Sequence, residues 1–343
     1  MMDKYGRLCL FEWVVMGYAV LSALLIMVLW GRMVNPLPML VGRGGAVVMT
    51  IGLWQLYRWR PSKLTMMLRV AGQLCLLGWW YPDTYEFNRL FTNLDHVFAG
   101  IEQSVFGCQP ALLLSQQWPS SWVSEPLCLG YFSYYPMIAA VAFYYLLKRY
   151  ERFSYCAFVI LGSFFLFYVI FIALPVAGPQ FYYQAVGIDQ IAQGHFPPVN
   201  DYFLTHQESL PIPGHGLFHD LVQQAHDAGE RPTAAFPSSH VGIAVVLLWL
   251  AWETRSRWLM APLLVLSVLM FFATFYIQAH YAIDAVAGLF VGTMMYWLFR
   301  GIFNWATFRN LEMSKCRNVE MSKYRNFEIP KSRNPEKSKP QKQ

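Results

Sequence analysis

The chain has 343 residues, 56% of them hydrophobic and only 13% charged, where a soluble domain carries about a quarter charged residues; an ordinary soluble fold is excluded. Aromatics at 17% suit a protein with many lipid-facing and interfacial rings, and six cysteines are too few for a disulfide scaffold. The formal charge of +6 says less than the places where it is concentrated.

A helix needs about 20 mostly apolar residues to cross the hydrocarbon. Eight candidate segments run roughly 10–30, 37–57, 64–82, 127–147, 154–176, 238–253, 258–278 and 280–299. The first, Leu10 to Trp30, shows no cleavage site and reads as a retained helix. The second holds Arg43 and the third Arg69. An intramembrane Arg faces the bundle interior, water or the interface, and Arg69 reads as a side chain snorkelling from near a helix end.

Lys and Arg in the connecting segments set the orientation. With eight spans, 21 of them fall on the side of the two termini and three (Arg32, Arg89 and Arg231) on the other. The positive-inside rule places both termini in the cytoplasm, and leaving out the tail from Arg300 still gives 10 against three. Two long loops, 83–126 and 177–237, then lie outside. In the first, Phe91, Leu94 and Phe98 recur at near-helical spacing, as in a piece lying along the membrane surface or packed over helix ends. Cys108 and Cys128 can pair there if the compartment is oxidising. The second loop holds five of the eight histidines. His215 and His219 have helix-like metal spacing, but Gly214, Gly216 and nearby prolines argue against a helix, so no metal site is assigned. Asp189, Asp201 and Glu208 are candidates for binding headgroup hydroxyls, or are solvated loop charges.

The C-terminal segment 303–343 carries four copies of an eight-residue unit, marked by Arg-Asn at 309, 317, 325 and 333, each with Glu at its fourth position. Successive copies fall about 80° apart on a helix and build no continuous face. With Pro330, Pro335 and Pro340 in the last copies, the segment reads as a disordered basic tail.

Two segments carry the chemistry. Phe236-Pro237-Ser238-Ser239-His240-Val241-Gly242 opens the sixth span and His280-Tyr281-Ala282-Ile283-Asp284 opens the eighth. The seventh span returns the chain between them, so both histidines sit at helix N-termini on one, outer face. A helix N-terminus offers unpaired N–H groups and partial positive charge to a phosphate. Ser238 and Ser239 can cap the sixth helix and donate hydroxyls. His280 and Asp284, four apart, share a helix face, so the carboxylate can hold one ring nitrogen protonated and leave the other as nucleophile. His240, without such a partner, can protonate a leaving group.

On these residues the chain resembles the type 2 phosphatidic acid phosphatase superfamily. Pro237-Ser238-Ser239-His240 is similar to that family's Pro-Ser-x-His motif, and His280 to Asp284 to its His-x-x-x-Asp motif, especially the His-Tyr-x-x-Asp form of inositol phosphorylceramide and sphingomyelin synthases. The resemblance covers roughly 130–300. It implies a six-helix membrane core, a phosphohistidine on His280, His240 acting as acid and then base, and Asp284 orienting the nucleophile. Where phosphatases of this family carry an Arg six positions before the nucleophile, this chain has Thr274. Their Lys with Arg-Pro seven residues later is also missing; the outer side has Arg231-Pro232, with Pro232 eight residues before His240. Pro175-Val176-Ala177-Gly178-Pro179 resembles the Gly-Pro segment of the synthase-like branch. A phosphodiester carries less charge than a monoester and needs fewer cationic clamps, so these departures favour a phosphodiester-handling transferase, with Arg231 the leading clamp.

The expectation is an all-α polytopic membrane protein: two N-terminal spans over 1–62, a six-helix catalytic core over 63–302, and the repeat tail. Its reaction needs no metal or cofactor. It moves a phosphoryl-headgroup from a phospholipid to a lipid alcohol through His280, with phosphate held by Ser238, Ser239 and Arg231. One rival is a phosphatase of the same architecture, with water as acceptor. The other is a transporter or non-catalytic membrane protein, disfavoured because the spans hold no acidic residue besides Glu12, Asp284 and, at the last position of the sixth, Glu253.

Overall fold

The structure, a computed structural model, describes residues 7–327. Among these there are helices and no strands. Fourteen α-helices follow in order: α1 (Leu10–Leu29), α2 (Pro36–Trp59), α3 (Lys63–Asn88), α4 (Asp95–Phe106), α5 (Pro110–Gln117), α6 (Ser121–Phe132), α7 (Tyr134–Lys148), α8 (Phe153–Ala173), α9 (Pro179–Val186), α10 (Ile188–Ala192), α11 (Leu217–Gly229), α12 (Ser239–Thr254), α13 (Arg257–Tyr276) and α14 (Ala282–Phe327). Proline at the first helical position starts α2, α5 and α9, where its missing N–H costs no bond. Ser62 caps α3 through the Thr65 amide, and Gly107 ends α4 at a positive φ.

All eight segments expected to span are helical, but they do not cross alike. Five helices are long and apolar enough by themselves, among them α1, α2, α13 and the first part of α14. The fifth runs Tyr150–Ala173 and contains α8. The expected fourth span is α6 and α7, bent by 44° at Ser133. The sixth is α12, only 16 residues long, and the third is α3, which carries Arg69 and Asp83. The apolar window of the α8 span is 72% buried against 22% for α2, so α8 is the central post and α2 lies at the periphery. Large apolar side chains such as Val28, Val48, Val265, Phe290 and Met294 face outward, as lipid-facing side chains do. Trp59, Trp122 and Trp258 stand exposed at helix ends, the place of an interfacial belt. The chain is therefore an all-α polytopic membrane protein.

Both arginines expected within spans are buried and paired. Arg69 is fully buried and grips Glu12 of α1 in a fork, Nε to Oε1 at 2.8 Å and one terminal nitrogen to Oε2 at 2.5 Å. The snorkelling expected of Arg69 is thus replaced by an internal ion pair. Arg43 of α2 donates to Asp83 of α3 at 2.5 Å and to Ser22 of α1 at 2.9 Å. An Arg among helices must be paired there, since hydrocarbon offers no partner.

The first long loop is helical rather than extended: α4 and α5 meet at 73°. Leu94, Phe98, Ala99 and Leu112 join one apolar cluster with Tyr183, Val241 and Tyr281, so Leu94 and Phe98 of the apolar face seen in the sequence cover the helix ends, while Phe91 is exposed. Cys108 and Cys128 are both free thiols, Cys128 buried beside Ile212 and Tyr276. Residues up to Phe299 form one compact unit and those from Arg300 a second. The backbone remains helical through Phe327, where a disordered tail was expected, because the early repeat copies are built of good helix formers and the first proline comes only at Pro330. The third copy from Glu328 and the whole of the fourth lie outside the described residues.

Candidate active site

Three connecting segments, 175–180, 231–238 and 277–281, are laced together by main-chain bonds. Ala235 N–H donates to Val176 O, Gln180 N–H to Gln278 O, and Ser238 N–H to Asp284 O. The last of these ties the two sequence motifs directly. Asp95, fully buried at the start of α4, accepts from the amides of Ala177 and Gly178 at 2.7 and 2.8 Å and from the Tyr281 hydroxyl at 3.1 Å. Gly178 sits at φ +97°, and a Cβ there would lie 2.6 Å from the Ala279 carbonyl oxygen. That is the physical content of the Gly-Pro segment: only glycine lets these two strands of chain touch.

Helices α12 and α14 approach as closely. A Cβ on Gly288 would meet Ser238 O at 2.6 Å, and one on Gly292 would run into Gly242 O. Small residues four apart on α14 therefore face Ser238 and Gly242, four apart on α12. This contact sets both histidine-bearing helix ends side by side.

His280 follows the turn at the end of α13, with its own N–H on Thr274 O. Its Nδ1 lies 2.7 Å from Ala235 O and, facing a carbonyl, must carry the proton. Nε2 is left with its lone pair, 3.5 Å from Nδ1 of His240. Burial lowers the pKa of His280 to about 4, against smaller raising effects of the Ala235 bond and the Glu230 charge; the ring is neutral at pH 7. His240 lies between the rings of Tyr131 and Tyr134, each with its centroid 4.4 Å away.

Asp284 does not hold the imidazole as expected. Its Oδ2 is 3.8 Å from His280 Nδ1 and accepts instead from the Tyr281 N–H at 2.8 Å. The Ala235 carbonyl performs the orienting function that spacing assigned to Asp284. The two helix N-termini also differ. At α14, Glu102 of α4 accepts the Ile283 N–H at 3.2 Å, so a carboxylate already occupies that end. At α12, Ser238 caps the Val241 amide at 3.4 Å, while the Ser239 and His240 amides make no hydrogen bond within the described residues. Only α12 has amides to offer an anion.

Arg231, the expected clamp, is exposed, and its guanidinium is bound by the Gln207 side chain. Asp189, in the first turn of α10, and the loop residues Asp201 and Glu208 are exposed charges. His215 precedes α11, while His219 lies in it with Nε2 on Ile212 O and Nδ1 on Asp220, so the two do not share a helix face. Among the described residues no group of three or more His, Cys, Asp and Glu could hold a metal ion.

Sequence reasoning missed four contributors: Asp95, Glu102, His226 and Glu230. Asp95 and Glu102 lie seven apart among the apolar residues of α4, a carboxylate on an apolar face being a sign of burial with a partner. His226 and Glu230 have the same four-residue spacing as His280 and Asp284.

Residues 102–298 match a family model described as the PAP2 superfamily. The match opens in α4, at Glu102, and leaves α1, α2 and α3 outside it. No curated protein and no solved structure matches the chain.

Proposed function

The chain belongs to the PAP2 superfamily, whose model covers more than half of it, and we propose that it transfers a phosphoryl-headgroup from a phospholipid to a lipid alcohol through a phosphohistidine on His280. Membership makes it a membrane enzyme of lipid phosphatase or phosphotransferase type. The finer reading rests on one observation: a buried imidazole with Nδ1 pinned to a carbonyl, its Nε2 lone pair turned to a second histidine beside two unbonded amides.

In the first step Nε2 of His280 attacks phosphorus and the P–O bond to diacylglycerol breaks. The leaving oxygen lies opposite Nε2, so His240, which must enter this step as the imidazolium, turns out of its contact with His280, gives its proton to that oxygen and is left neutral. The Ser239 and His240 amides and the Ser238 and Ser239 hydroxyls take the phosphoryl oxygens. In the second step neutral His240 removes the acceptor's hydroxyl proton, the new P–O bond forms and Nε2 leaves. Asp284 fixes the backbone around His280 through the Tyr281 amide. No metal or cofactor enters the scheme. Thr274 at the position of the phosphatase Arg, and Arg231 bound elsewhere, leave the site without a cationic clamp; this supports a diester substrate over a monoester. The likeness to inositol phosphorylceramide and sphingomyelin synthases belongs to the same reading. The positive-inside distribution supports cytoplasmic termini and an extracytoplasmic site.

The test supplies purified protein in mixed micelles with headgroup-labelled phospholipids or phosphatidic acid, with and without a ceramide or other lipid alcohol. A labelled lipid product requiring both the acceptor and His280 is expected, and His280→Ala yields none. Free phosphate from phosphatidic acid without transfer would make the protein a phosphatase; turnover retained in His280→Ala would end the mechanism. For sidedness, a cysteine placed in loop 177–237 reacts with an impermeant thiol reagent in intact cells, and labelling only after permeabilisation inverts the orientation.

A further inference from the structure

Helix α11 carries to the histidine pair a carboxylate that the phosphoryl chemistry does not use. Glu230, just after α11, accepts from Gln180 Nε2 at 2.5 Å and from the Tyr131 hydroxyl at 3.5 Å, with His226 Nε2 3.6 Å away. Tyr131 in turn lies on His240, so Glu230 is one ring removed from the proposed acid. Its charge bears on His280, raising that ring's pKa against the larger lowering by burial. The cluster is rich in acceptors and poor in positive charge. Neither ring nitrogen of His226 has a hydrogen-bond partner, nor has Oε1 of Gln180, although these residues are only 6% and 3% exposed. The neighbouring cation, Arg231, is turned to Gln207.

A carboxylate so placed repels any phosphodiester held at His280, and a low-dielectric surrounding strengthens that repulsion. A headgroup that brings its own cation removes the conflict. A neutral polyol could use the free acceptors of His226 and Gln180 but would leave the repulsion standing. Tyrosine rings and hydroxyls around a carboxylate are suited to an organic ammonium ion.

We propose that Glu230, with Tyr131 and Gln180, forms a subsite for an organic ammonium group, so that the headgroup moved at His280 is zwitterionic. This rests on the phosphodiester reading above and narrows its substrate to lipids with amine headgroups. The phosphate lies at the open amides of α12 and the ammonium at Glu230.

The test is binding, read on full-length protein and on His280→Ala in detergent micelles. Short-chain phospholipids differing only in headgroup (phosphocholine, phosphoethanolamine, phosphoglycerol, phosphoinositol) are titrated, with choline and its uncharged isostere 3,3-dimethylbutan-1-ol as competitors. The ammonium-headed lipids are expected to bind about tenfold tighter or more than the polyol-headed ones. Choline competes and the isostere does not, and Glu230→Gln abolishes the preference. Equal affinities in the unaltered protein, or a preference surviving Glu230→Gln, overturn the proposal. If Glu230→Gln does not fold, the choline and isostere competition on the unaltered protein decides. Selective binding without turnover would fault the phosphohistidine reading alone, and turnover without selectivity the subsite alone.

Discussion

A main-chain carbonyl, that of Ala235, decides which nitrogen of His280 keeps its lone pair. The spacing of His280 and Asp284 pointed to the carboxylate, because residues four apart on a helix share a face. The helix, however, begins at Ala282, so His280 precedes it and the i,i+4 geometry does not apply. The histidines and serines were legible in the sequence because their motifs are local. The carbonyl that orients His280 was not, because it comes from a loop 45 residues away. The depressed pKa of His280 has a testable sign. The reactive form is the neutral ring, and the folded-state value of about 4 lies below the ordinary 6.5. As far as His280 is concerned, kcat/KM should therefore stay level on acidification to about pH 4 and fall about tenfold per unit below it. Between 6.5 and 4 the unfolded chain binds a proton that the folded one does not, so His280 also lowers stability as pH falls through that window. A rate profile with its acid limb at 6.5, matched by an NMR titration of the His280 ring at the same pH, would show a solvated ring instead.

Between elements, the contact that matters most is α12 against α14. Helix periodicity placed both helices but did not say that they touch. The signal was present as Gly288 and Gly292, four apart in an apolar helix, opposite Ser238 and Gly242. Without lipid-excluding hydrophobicity to drive association, small residues let membrane helices approach until their backbones meet. Any side chain at 292 must push α14 off the Gly242 carbonyl, and with it move His280 relative to His240. Gly292→Val is expected to leave the protein in the membrane while lowering kcat by about 10²-fold, the loss that a 1 Å misplacement of reacting groups brings. The measurement is turnover per folded molecule after size-exclusion chromatography in detergent. Full activity in Gly292→Val would mean that the two helix ends are held by the loops alone, through bonds such as Ser238 N–H to Asp284 O.

At the scale of the molecule, the first two helices, α1 and α2, are pinned to α3 by charge rather than by motif, and all three lie outside the family match. Composition and hydropathy made the membrane class and the eight helical segments readable. They could not pair Glu12 with Arg69, or Arg43 with Asp83, because the partners lie 57 and 40 residues apart. The consequence differs from that of a surface ion pair. Taking both charges out of water is costly, so the pair adds little net stability, yet removing one partner strands the other in a buried, apolar setting. Arg69→Met should therefore destabilise the protein by about 3–5 kcal/mol. The double change Glu12→Leu with Arg69→Met should recover most of that loss, since a well-packed apolar pair is often as stable as a buried ion pair. Thermal unfolding in a fixed detergent compares the three proteins, and a double variant no more stable than Arg69→Met would show that the loss was packing around the guanidinium stem, against Tyr57 and Phe11, and not the stranded carboxylate. Because the site is assembled from α4 onward, the double variant should also keep its turnover; a loss of rate at restored stability would make the N-terminal helices part of the catalytic framework.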